Sequence, residues 1–155
     1  MRLLRTAMVL EVAERHLQNE AANSPDFALV SNYLAQVATV TFYAEMEQRL
    51  HEVVRNRLMG AGDEKLAYFL AKHREALVKR VKKSEIADTA AMFGADCKDQ
   101  FSSNFSDAEI TIYNNIITDR HQNAHGNGGG VTISDVKLAF PIAERILDAL
   151  SKAIE

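Results

Sequence analysis

One cysteine, Cys97, stands in 155 residues. An internal disulfide is therefore excluded, and the thiol content suits a reducing compartment, so the expected location is cytoplasmic. Proline occurs twice and glycine seven times, too few breakers for a loop-rich or disordered chain. No apolar run is long enough to span a bilayer. The basic and apolar start, Met1 to Arg5, meets Glu11, Glu14 and Arg15 too soon for a signal sequence, and a soluble protein with no membrane contact is expected. Alternation of apolar and polar residues never lasts long enough for a sheet, and no internal repeat is present. Charge of one sign is not in surplus either: 18 basic against 21 acidic side chains leave a net charge of -3. That excludes a protein coating nucleic acid through bulk basicity, so any RNA contact must be local.

What is present is helical periodicity. With 47% hydrophobic and 25% charged residues, the length fits one domain, residues 1–155, able to bury a single core. Residues 3 to 22 place Leu3, Leu4, Ala7, Leu10, Ala13 and Leu17 largely on one side, and Asn23-Ser24-Pro25 ends that helix. From Asp26 to about Leu58 there is no proline or glycine, and Tyr33, Leu34, Val37, Thr41, Ala44 and Leu50 keep helical spacing. Gly60-Ala61-Gly62 breaks the pattern. Leu66, Phe69, Leu70 and Leu77 then outline a third helix with Lys79, Arg80, Lys82 and Lys83 as its basic end. Ser84 opens a short helix that closes near Gly94, and Cys97 to Phe105 reads as less regular. Thr132 with Asp135 marks the start of a last helix, which should kink at Pro141. The expected architecture is an all-α bundle of about five to six helices.

The stretch that speaks of chemistry runs from Ser106 to Gly130. Ser106 and Glu109 have the spacing of a capping box, so a helix should begin at Asp107. Ile110, Tyr113, Ile117 and Ala124 then recur at steps of three and four, with Arg120 filling the remaining place in that stripe. A permanent charge at a core-facing position is costly unless an anion or strong acceptor meets it, and a substrate phosphate is one such anion. On an ideal helix Arg120 and His125 point about 140° apart. Convergence on one atom needs either a frayed last turn at Gly126 or a second copy of the helix brought in by two-fold symmetry, the arrangement favoured here.

Arg120 and His125 at this spacing, with polar His121 directly after the arginine and Ala124-His125-Gly126 closing the run, resemble the signature of HEPN domains, helical modules many of which are metal-independent endoribonucleases. Tyr113, Ile116 and Ile117 before the motif, Val131 to Val136 after it, and Phe42 to Glu47 upstream are similar to the RiboL-PSP-type branch. The resemblance implies cleavage of RNA by attack of the ribose 2′-hydroxyl on its own phosphate, with no cofactor, in a composite cleft of a homodimer. In that reading His125 handles the proton, because imidazole titrates near neutral pH. Arg120 stabilises the added negative charge through planar donors that match two phosphate oxygens. His121 is a supporting phosphate or water contact, Asn123 an orienter, and Glu45 a possible partner of Arg120 across the bundle. The family also implies a role in defence or growth control, as a toxin held by an antitoxin partner or as part of an anti-phage system.

Other readings stay open beside it. His121 and His125 stand four apart, the spacing of a two-histidine metal chelate, but Gln122 takes the place a zinc protease gives to glutamate, and no metal is expected. The loop from Gly126 to Gly130 lacks the lysine and hydroxyl residue of a triphosphate loop and is a connector unless its amides approach a phosphate. Lys82 and Lys83 would attract RNA only if they border the cleft. A non-catalytic helical module binding RNA, a nucleotide or a protein is the alternative from a different class.

Overall fold

The computed structural model describes residues 1–19, 24–60, 62–75, 81–124 and 130–155, the side chains at 71, 74, 75 and 121–124 aside. Among the described residues there are seven helices and no strand: α1 (Leu4–Asn19), α2 (Phe27–Met59), α3 (Glu64–Glu75), α4 (Lys83–Ala91), α5 (Ala95–Ser102), α6 (Asp107–Ala124) and α7 (Ile133–Ile154). No helix among them is long and apolar enough to cross a membrane.

The two longest helices, α2 and α7, pack against each other as the spine of the bundle. α7 qualifies because Val136, Ala139, Ala143, Ile146, Leu147 and Leu150 form one buried stripe, the helical spacing expected for that segment. Pro141 stands on the outer side, exposed, and the helix runs through it unbroken. Its missing N–H therefore falls on the wet face, where water can replace the lost bond. α1 lies along α2, α6 packs on both α2 and α7, and α4 with α5 closes the side against α7.

Both expected capping boxes are formed. The Ser106 N–H donates to the Glu109 carboxylate at 3.0 Å and the Glu109 N–H to the Ser106 hydroxyl at 3.4 Å. At α7 the Thr132 N–H donates to Asp135 at 2.8 Å and the Asp135 N–H to Thr132 Oγ1 at 3.2 Å. Each pair satisfies two amides that the first helical turn would leave open. The Ser106 backbone N–H, then its hydroxyl, then Arg145 hold the Glu109 carboxyl down to about 2, against an ordinary value of 4.5. A carboxyl lowered in the folded state contributes stability that is present above about 4.5 and lost as pH falls towards about 2. Glu109→Gln should accordingly flatten the acid limb of a urea-midpoint titration across that window, whereas parallel curves for variant and wild type would show that these bonds do not persist in solution.

Helix α1 has no acidic residue in its own first turn and borrows two from its neighbours. The Leu3 N–H donates to Glu144 of α7 at 2.9 Å, and the Arg5 and Thr6 N–H groups donate to Glu45 of α2 at 3.0 and 2.8 Å. The anions sit where the helix dipole and the open amides favour them. They also tie α1 to both members of the spine.

Two expectations need correction. Lys82 and Lys83 do not end the third helix: Lys82 is the extended N-cap of α4 and Lys83 is its first residue. The Lys82 N–H is satisfied by the Glu85 carboxylate at 3.3 Å, and that acid so close to the start offsets basic residues at the wrong pole of the dipole. Lys79 and Arg80 lie outside the described residues. Second, Cys97 to Phe105 is not irregular, because α5 covers most of it. Its eight residues are too short to show a repeat, and Phe101, fully buried, is its single core anchor. Splitting that segment raises the helix number above the expected five to six.

Candidate active site

Helix α6 carries two inward stripes. Ile112, Ile116 and Asp119 line the side towards α7, while Tyr113 and Arg120 meet Phe42 and Tyr43 of α2, with Ile117 buried between them on the same stripe at steps of four and three. The second stripe is anchored by Tyr113, which is fully buried, lies 6.0 Å from the Phe42 ring and donates its hydroxyl to the Val81 carbonyl at 2.6 Å. Burial pushes the Tyr113 phenol well above its ordinary value, with the neighbouring Tyr43 and Glu85 acting in the same direction. Tyr113 is thus a neutral donor, and its role is to fix the rotation of α6.

With that rotation set, Arg120 emerges two turns further along the same stripe. It is partly buried, and its guanidinium carbon lies 4.4 Å from the centroid of the buried Tyr43 ring. A cation over an aromatic face is held by the ring quadrupole, a contribution of about 0.5 to 2 kcal/mol. The five N–H donors of a guanidinium lie in one plane, in a fork that matches two acceptor oxygens. Among the described residues Arg120 forms no ion pair. The arrangement therefore places a steadied, always-charged group near the C-terminal end of α6.

Glu45 does not supply the missing carboxylate. It is 1% exposed and accepts from the Arg5 and Thr6 amides and from the Thr6 hydroxyl, the last at 2.8 Å. The pairing of Glu45 with Arg120 is replaced by the capping of α1, a role invisible in local sequence because the partners are some forty residues apart. Lys83 stands near the middle of α6, its N–H donating to Asn114 Oδ1 at 3.3 Å, but its ammonium lies 5.7 Å from the Phe101 ring centroid, on the side of α5. Lys82 is exposed beside it. Both reach α6 at the level of Tyr113 and Asn114, about 10 Å short of Arg120 along the helix axis. His121 and Asn123 continue the backbone of α6, with side chains outside the described set. His125 and Gly126 lie outside the described residues altogether.

Asp119 was not singled out from the sequence. It is 6% exposed, is not without an interacting partner, and closes the α7-facing stripe immediately before Arg120. With Ile112, Ile116, Val131 and Leu138 it lines a cavity of about 460 Å³ between α6 and α7. The signal was available: Ile112, Ile116 and Asp119 have the same four-and-three spacing as the stripe that contains Arg120. Among the described residues no cluster of His, Cys, Asp and Glu is arranged to hold a metal ion.

The family described as RiboL-PSP-HEPN matches residues 11–155, which takes in all of α2 to α7 and most of α1. No curated protein and no solved structure matches the chain.

Proposed function

The chain belongs to the RiboL-PSP-HEPN family, and from that premise we propose that it is a metal-independent endoribonuclease. The observation that supports this reading most is the state of Arg120. It is set into a core-facing stripe, steadied by Tyr43, and forms no ion pair among the described residues. Such a group is suited to a dianionic or pentacoordinate phosphate, which takes two parallel N–H bonds.

In the proposed reaction the ribose 2′-oxygen bonds to the adjacent phosphorus and the bond from phosphorus to the 5′-oxygen breaks. The 2′-hydroxyl gives up its proton and the departing 5′-oxygen gains one. His125 moves the proton, and Arg120 neutralises charge that builds on the non-bridging oxygens. The products are a 2′,3′-cyclic phosphate and a 5′-hydroxyl. Two motifs from two copies of the chain would let one imidazole accept and the other donate, which answers the divergent directions of Arg120 and His125. A cellular role in defence or growth control, with a partner protein restraining the nuclease, is part of this proposal.

Incubating the purified protein with RNA in EDTA tests the chemistry directly. Cleavage should survive chelation, leave a cyclic phosphate end and stop at any position bearing a 2′-deoxyribose. Loss of cleavage on chelation would replace this mechanism by a metal-assisted one, and binding without cleavage would make the chain a recognition module.

A further inference from the structure

Helix α3 turns almost nothing inward. Among its described side chains only Ala67 is buried, so the side opposite Ala67 faces solvent. At about 100° per residue that side carries, in angular order, Tyr68, Lys72, Lys65, Phe69 and His73, within an arc of about 140°. All five are exposed, Tyr68 by 60% and Phe69 by 65%. The outer face of a surface helix is ordinarily charged and polar. Here it holds three rings, two of them already arranged: the Phe69 and His73 planes are inclined by only 12°, with centroids 6.3 Å apart.

Rings interleaved with cations identify the occupant. Protein–protein interfaces are enriched in aromatic residues but depleted in lysine, whereas Lys65 and Lys72 stand in the middle of this arc, between Tyr68 and Phe69. The arc contains no acidic residue, Glu64 falling just outside it. Flat exposed rings offer stacking to unpaired bases, each of which has a π face, and ammonium groups one helical turn away suit the phosphates that join those bases. A duplex keeps its base faces stacked on one another and would use the charge alone. With a net charge of -3 over the whole chain, contact with a polyanion has to be confined to such a patch.

We propose that the outer face of α3, centred on Phe69 with Tyr68, His73, Lys65 and Lys72 around it, is a binding site for single-stranded RNA separate from the Arg120 motif. α3 follows α2 after residues 60–63 and packs against it. Helices joined by so short a connection run antiparallel, so α3 leads back along α2 towards the level of Tyr43, whose ring steadies Arg120. The site gives an RNA strand a second hold on the protein, away from the reacting phosphate. This deepens the endoribonuclease reading, and rests on it only for the consequence that the strand held by α3 is the one that is cut.

Fluorescence anisotropy of the full chain with a labelled single-stranded oligonucleotide of 2′-O-methyl ribose, which has no 2′-hydroxyl to attack with, tests the site. Wild type should bind it more tightly than the corresponding duplex. Phe69→Ala, at an exposed position, should keep wild-type circular dichroism and urea midpoint while weakening binding by about five- to a hundredfold, the loss of one stacked base. Phe69→Leu, apolar but not flat, should do nearly the same, and Phe69→Trp should retain the affinity. Lys65→Gln should lower the slope of log affinity against log salt by about 0.7, the share of one phosphate contact on a single strand. Met8→Ala, at a similarly exposed apolar position of α1, should leave binding unchanged. Equal affinity for strand and duplex, wild-type binding by Phe69→Leu, or no binding by wild type would overturn the assignment. So would binding to vesicles of anionic lipid that Phe69→Ala abolishes while its affinity for the oligonucleotide stays the same. Cleavage of ordinary RNA separates the two claims. Binding that depends on the Phe69 ring in a protein that never cuts RNA would keep the site and remove the nuclease. Cleavage with an unchanged KM in Phe69→Ala would do the reverse.

Discussion

Arg120→Ala is expected to lower RNA cleavage by about a thousandfold, the scale seen when one preorganised donor to a developing oxyanion is removed. Stability should hardly change in the same protein. The described partner of the guanidinium is the Tyr43 ring, so truncation forfeits a cation–π contact of about 1 kcal/mol and strands no counter-charge among the described residues. A structural arginine behaves in the opposite way: removing it from a buried ion pair leaves an uncompensated carboxylate and costs about 3 to 5 kcal/mol. The two roles therefore separate on a plot of activity against unfolding midpoint. Arg120→Lys keeps the charge but loses the bidentate fork, and should recover only a small part of the rate. His125→Ala should cost about a hundred- to ten-thousandfold through the proton-transfer step. A large fall in the Arg120→Ala unfolding midpoint with cleavage intact would sink the proposed role.

Much of this architecture was legible in the residues because the informative features are local. Ser106 with Glu109 and Thr132 with Asp135 close reciprocal bonds over three residues, and such pairs can be read without knowing any neighbour. The stripe Tyr113, Ile117, Arg120 set the position of the arginine correctly on the core side, because helical periodicity survives the substitution of one member. What is harder to read is partly tertiary and partly local. The use of Glu45 depends on where α1 docks. Lys82 and Lys83 were misread because like charges at a helix boundary look the same whether the helix is ending or beginning, and only Glu85 distinguishes the cases. Asp119 escaped because an aspartate beside an arginine attracts no attention until the stripe on its own side is counted.

The tertiary role of Glu45 carries a large expected loss of stability. Its carboxylate is almost wholly buried and accepts three hydrogen bonds, from the Arg5 N–H, the Thr6 N–H and the Thr6 hydroxyl. Glu45→Ala leaves all three donors without their acceptor at the start of α1, where each unsatisfied group costs about 1 to 3 kcal/mol unless water enters. A total of about 3 to 4 kcal/mol is expected, equivalent to a fall in Tm of roughly 10 °C for a domain of this size. Glu45→Gln keeps one acceptor oxygen and should lose about half as much. Thr6→Val removes only the hydroxyl, and its effect should shrink by about 1 kcal/mol in the Glu45→Ala background, since the two residues share a bond. Additive effects would show that the bond is not made. The same variants also settle whether Glu45 serves Arg120. If its work is confined to holding α1 on the spine, folded Glu45→Gln should cut RNA at close to the wild-type rate, and a loss comparable to that of Arg120→Ala would place the carboxylate in the cleft after all.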